Sequence, residues 1–89
     1  MASNQISINM KYTNITFNVK SHRQADDICA ICAMFYSEAV VTSVGYIGGY
    51  FHEAPAVIRC AYEDDFQGVN AWKNLVTTLI RKGYSDCIY

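Results

Sequence analysis

The first twenty residues alternate apolar and polar side chains in two blocks. The apolar positions are, in chain order, Ile6, Ile8, Met10, Ile15, Phe17 and Val19. A period of two with β-branched and aromatic residues is typical of strands that are buried on one face. The phase breaks across 11–14, which is enough chain for a short hairpin loop. The pattern therefore predicts strands near 5–11 and 14–20.

The segment that follows has helical periodicity. Ser21 lies three residues before Gln24, a spacing that caps a helix, and carboxylates follow where they suit the helix dipole. The apolar arc consists of Ala25, Ile28, Cys29, Cys32, Phe35, Tyr36 and Ala39. At about 100° per residue these positions share one broad face. The pattern predicts a helix over 22–38.

The second half repeats the pattern of the first. Strands are predicted near 44–51 and 56–63, and a helix follows that is capped by Asp64 or Asp65 and stops before Gly83. The predicted buried stripe of this helix is Val69, Trp72, Leu75, Val76, Leu79 and Ile80. The last four residues fit either a short extra edge strand or a docked tail.

The order strand-strand-helix therefore occurs twice, over 5–38 and 44–82. Residue identity between the two units is almost nil, so they agree only in pattern. We expect a single domain over 1–89 of the α+β class. The simplest architecture is a two-layer sandwich in ββαββα order, with one antiparallel sheet of four or five strands and both helices packed on one face.

The composition narrows the function classes. Charged residues are only 17% of the chain, hydrophobic residues are 52%, and the formal net charge is −1. This excludes intrinsic disorder and argues against an electrostatic nucleic-acid binder. The sequence has no apolar run long enough for a membrane span and no secretion signal at its start. We therefore expect a cytoplasmic protein with no membrane partner and reduced cysteines.

Four cysteines raise the question of redox or metal chemistry. Cys29 and Cys32 form a Cys-x-x-Cys, which Cys60 and Cys87 could complete as a zinc site. Redox pairs of this kind usually lie at a helix N-terminus. Here the pair lies two turns into the predicted helix, on its apolar arc. The pattern favours small buried core residues, with no metal and no cofactor.

No combination of residues indicates catalysis. His22 and His52 have no nearby nucleophile with a third, orienting group. The acidic pairs at 26–27 and 64–65 fall at helix N-termini, where carboxylates cap. We therefore predict that the protein is not an enzyme and has no catalytic residues.

Two surfaces are candidates for partner binding. On the sheet face away from the helices, the candidate partner-binding residues are Tyr46, Tyr50, Arg59, Lys11, Lys20 and Asn18. Gly48 and Gly49 suggest a bulge, which leaves open whether Ile47 and Phe51 face outward in place of the two tyrosines. The second surface is an apolar flank of the first helix, where a homodimer could form. It consists of Ile31, Met34 and Glu38.

Tyrosine among small polar residues is typical of adaptable protein-binding surfaces. The leading hypothesis is a small non-enzymatic protein-binding module that forms a homodimer. In size and lack of motifs the chain resembles, in general style, the small viral or mobile-element proteins that inhibit a host enzyme or defence complex, as anti-CRISPR proteins do. The resemblance implies inhibition by surface occlusion in the host cytoplasm.

One alternative is an RNA- or single-stranded-DNA-binding domain that uses the open sheet face. Another is a thiol- or zinc-dependent small protein.

Overall fold

The computed structural model describes residues 9–45 and 54–88. Its elements are β1 (Lys11–Val19), α1 (His22–Phe35), β2 (Glu38–Val44), β3 (Ala54–Tyr62), α2 (Asp65–Arg81) and a 3-10 helix (Ser85–Cys87). The chain is thus an α+β protein with two helices and an antiparallel sheet, as predicted. The described sheet has three strands, in the order β1-β3-β2.

The element order among the described residues is βαββα and not ββαββα. The predicted hairpin loop at 11–14 is wrong, because these residues are the first four of β1 and pair with β3. The strand is continuous through these positions, and Lys11 and Thr13 lie on the same face as Ile15 although their side chains are polar. The predicted strand near 5–11 lies mostly outside the described residues.

The first helix ends earlier than predicted. It stops at Phe35, and β2 begins at Glu38 in a run rich in β-branched residues. Immediately before β2, the Ser37 N–H donates to the Ala61 carbonyl of β3 at 2.8 Å. This hydrogen bond attaches the chain to the sheet directly after the helix. The predicted strand over 44–51 therefore overlaps β2 only at Val44, and most of that range lies outside the described residues.

β3 occupies the middle of the sheet and pairs with both neighbours in antiparallel fashion. On the far side of β1, Ile88 forms a single antiparallel bridge with Phe17. The tail thus takes the place that a fourth strand would have beside β1.

One hydrophobic core joins the inner sheet face to both helices. Its largest fully buried side chains are Phe17, Ile28, Ile58, Leu75, Leu79, Val19, Cys32 and Cys60. The caps follow the sequence prediction: Ser21 Oγ accepts from the Gln24 N–H at 3.0 Å, and Asp64 accepts from the Gln67 N–H at 2.8 Å. No helix within 9–45 and 54–88 is both long and apolar enough to cross a membrane.

Candidate binding groove

The predicted outer-face residues are dispersed in the structure. Arg59 and Asn18 do lie on the sheet face away from the helices, and exposed Lys20 follows the end of β1. Tyr46 and Tyr50, like the alternatives Ile47 and Phe51, lie outside the described residues.

Lys11 is on the opposite face from Arg59. It pairs with Tyr62 in register, and its Nζ donates to Asp65 Oδ1 at 2.8 Å. The hydrogen bond and the charge of Asp65 raise the pKa of Lys11. The prediction that Lys11 lies on the outer face followed from the predicted hairpin. Because the hairpin is absent at 11–14, that prediction is wrong too.

The outer face contains a contact that the sequence did not reveal. The guanidinium of Arg59 stacks on the ring of Tyr12, with 3.9 Å from the carbon to the ring centroid. Tyr12 and Glu38 flank Ala61 in register, and Ala61 is buried although it lies on the outer sheet face. The Tyr12 ring is therefore partly covered by a cation of its own chain.

The predicted flank on α1 is not a single surface. Ile31 is buried in the core, whereas Met34 is 66% exposed and Glu38 belongs to β2. Ile31 is buried because α1 packs against α2 as well as against the sheet, which covers a wider arc than one neighbour would. Of the proposed dimer residues, Met34 and Glu38 remain on the surface.

The thiols occupy core positions. Cys29 Sγ donates to the Ala39 carbonyl at 3.4 Å, and burial raises its pKa. A hydrogen bond to Cys60, together with burial, raises the pKa of Cys32, and the same bond lowers that of Cys60. Cys87 is buried. In the described part of the chain, no three His, Cys, Asp or Glu side chains converge as metal ligands would.

A groove with a volume of about 640 Å³ lies between the outer edge of β1 and α2. Its lining is Thr13, Asn14, Ile15, Thr16, Phe17, Tyr36, Tyr62, Asp65, Gly68, Val69, Trp72, Lys73 and Ile88. The volume lies within the range of known ligand sites, about 300–1,000 Å³. Aromatic and aliphatic side chains form most of the wall, and Asp65 and Lys73 supply one charge of each sign.

On the helix side of this groove, the predicted buried stripe of α2 is wrong in part. Val69, Trp72 and Ile80 were assigned to the buried stripe of α2, yet they are 55%, 42% and 56% exposed. The stripe that is buried runs through Ala71, Leu75 and Leu79. Trp72 and Val69 face the space beside β1, where the described sheet offers only Ile88 to cover them.

The strand side of the groove is a sheet edge. Alternate N–H and C=O groups of an edge strand point away from its one partner and can accept a further strand. Among the described residues, only Ile88 pairs with β1 on this side. The groove therefore combines main-chain hydrogen-bonding groups with an apolar wall, a combination suited to binding a polypeptide.

No protein-family model, curated protein or solved structure matches the chain.

Proposed function

We propose that this chain is a non-enzymatic protein-binding module that acts by occupying part of a partner's surface, in the manner of small inhibitors of enzymes or defence complexes. The observation that carries the proposal is the groove between β1 and α2, whose wall contains the exposed side chains of Val69 and Trp72. Exposed aromatic residues beside a cleft are the side chains that most often dominate the energy of protein interfaces.

The charges favour a protein partner over a nucleic acid. A phosphate backbone is held by several cations, and binding then weakens steeply with salt. At the groove the charges of Asp65 and Lys73 oppose each other, and Lys11 is already paired with Asp65. On the outer face, Arg59 is stacked on Tyr12. Nucleic-acid binding by that face is the second candidate, and photo-crosslinking from the outer sheet face tests it.

The test is site-specific photo-crosslinking in the cells from which the gene comes. A benzophenone amino acid is placed at position 72 in the groove, at position 34 on α1, or at position 40 on the outer sheet face. All three side chains are exposed, so the replacement should leave the fold intact, as thermal unfolding of each variant will verify. We expect a protein adduct from position 72 and little from the other two.

Each other outcome has a defined meaning. Adducts from position 34 alone would move the interface to α1, where the sequence predicted a homodimer, and an adduct of twice the chain mass would identify that dimer. Adducts from position 40 that nuclease removes would favour the nucleic-acid alternative. Absence of adducts at all three positions would contradict the proposed function.

A further inference from the structure

We propose that the groove takes one extended segment of the partner polypeptide, which adds to the outer edge of β1 as the next strand of the sheet. This inference rests on the proposed function and specifies its ligand. It concerns how the partner is recognised, namely by main-chain hydrogen bonds along β1 and by side chains that enter the groove at every second position.

The first support is the bridge between Phe17 and Ile88. It shows that the outer edge of β1 pairs with extended chain in the antiparallel direction. The groove begins at this bridge and continues along Thr16, Ile15 and Thr13, so a bound segment would extend a ladder that Ile88 has already begun. An occupant without main-chain donors and acceptors would leave the polar groups of this edge without partners under an apolar ligand, which is costly.

The second support is the position of α2. Successive side chains of a strand point to opposite faces, so every second residue of the added strand would point toward α2. These residues would meet Val69 and Trp72, which are three residues apart on the helix and about 4.5 Å apart along its axis. Side chains two residues apart on a strand are about 6.7 Å apart. Two apolar side chains of the segment can therefore lie on either side of the Trp72 indole.

The dimensions favour a peptide segment over a second copy of the chain. From Thr13 to Phe17 the lined edge measures about 13 Å, at ~3.3 Å per residue. An edge of that length pairs with four or five residues, whereas a standard interface buries ~800 Å² per partner and involves about 20–30 residues on each side. The ion pair between Lys11 and Asp65 lies near the start of β1, and Ile88 is bridged to Phe17 near the end of β1. The length of edge between them accommodates a segment of four or five residues.

The experiment starts from a displayed library of random nine-residue peptides. Peptides are selected on the wild-type protein and then tested against Trp72→Ala and, as a matched control on the other helix, Met34→Ala. We expect peptides with apolar residues at alternate positions, whose affinity falls at least tenfold with Trp72→Ala and is unchanged with Met34→Ala. Failure to select any peptide that depends on Trp72 would overturn the inference.

Strand addition is then tested by N-methylation of the best peptide. Methylating every second amide removes the donors that face β1, whereas methylating the other set leaves them intact. We expect one set to weaken binding at least tenfold and the alternate set to have little effect. Equal sensitivity to both sets, or to neither, would overturn strand addition even if the peptide binds at the groove. The protein is unmodified here, so a folding defect cannot explain the result.

Failure of the inference and failure of the proposed function are distinguishable. A protein adduct at position 72 combined with a failed selection or methylation test would leave a protein-binding module that recognises a folded surface. Self-association that competes with the selected peptides, measured by sedimentation, would show that a second copy occupies the groove and would also overturn the inference.

Discussion

Gly68 in α2 lies against the side chain of Tyr62 in β3. A Cβ at this position would lie 2.9 Å from Tyr62 Cδ2 and 3.0 Å from its Cε2. Alanine normally stabilises a helix by about 1 kcal/mol over glycine. Overpacking against a ring costs about 1–3 kcal/mol. We therefore expect Gly68→Ala to lower the free energy of unfolding by about 1 kcal/mol, as measured by urea denaturation.

The control is the same substitution in a Tyr62→Ala background. Without the ring, Gly68→Ala should show only its helix-forming advantage and raise the free energy of unfolding relative to Tyr62→Ala alone. An equal effect in both backgrounds would contradict the steric explanation.

Tyr36 gives the protein a pH dependence in the alkaline range. Burial raises its pKa from 10.0 to about 12. Above pH 10 the unfolded chain releases this proton while the folded chain retains it, so the contribution of Tyr36 to stability is complete below pH 10 and is lost as the pH rises toward 12. We expect Tyr36→Phe to become progressively more stable than the wild type over this interval. The measurement is denaturant unfolding of both proteins from pH 8 to pH 12, and a difference that does not change with pH would contradict it.

For single residues, the sequence predicted the contacts that are made between residues close together in the chain. The cap at Ser21 is a matter of three-residue spacing, and the structure contains it. The face of Lys11 was not predictable in the same way, because it depends on whether the strand is continuous through 11–14. The stacking of Arg59 on Tyr12 depends on strand register, and no local pattern encodes it.

Among the elements, α2 begins with a network of side-chain hydrogen bonds in its first turn. Asp64 accepts from the Gln67 N–H, and the Gln67 side chain accepts from the Glu63 N–H and donates to Ser37 Oγ. We expect Asp64→Ala to lower the free energy of unfolding by about 1 kcal/mol and Asp64→Asn to leave it nearly unchanged, since asparagine is an equally good cap. Thermal unfolding followed by circular dichroism measures both, and equal losses would indicate that charge and not capping matters.

The exposure of one side of α2 also explains why the sequence pattern did not predict the groove. A helical period identifies the apolar arc but not how much of that arc a neighbour covers. Leu75 and Leu79 are buried in the core, whereas Val69 and Trp72 are exposed and line the groove beside β1. The opposite error occurred on α1, where Ile31 was predicted to be a surface residue and is covered because α2 lies beside it. Coverage is a property of the assembled layers, which local periodicity does not specify.

For the molecule as a whole, the central position of β3 predicts a gradient of stability across the sheet. Its amides are bonded to β1 or to β2 along its length, whereas the outer strands have amides that point away from it. We expect amide hydrogen exchange to be slowest in β3 and fast at alternate positions of β1 from Thr13 to Thr16 in the free protein. Addition of a selected peptide should slow those β1 amides.

The outer edge of β2, with which no strand in 9–45 or 54–88 pairs, serves as the internal control. Its exchange rates should not change when the peptide binds, because the groove lies along β1. Protection of β1 at Thr13 to Thr16 already in the free protein would show that other parts of the chain occupy the edge. Slowed exchange in β2 alone would place the bound peptide on the wrong side of the sheet.

The single bridge at Ile88 has a consequence for covalent linkage. A ligand sequence joined to the protein just beyond this residue through a short flexible linker would encounter the groove at an effective concentration of about millimolar. Such a tethered sequence would exclude a free competitor that binds with micromolar affinity, without any new contact. The protein could therefore be made self-blocking by linkage and reactivated by cutting the linker, since Ile88 already lies beside Phe17 at one end of the groove.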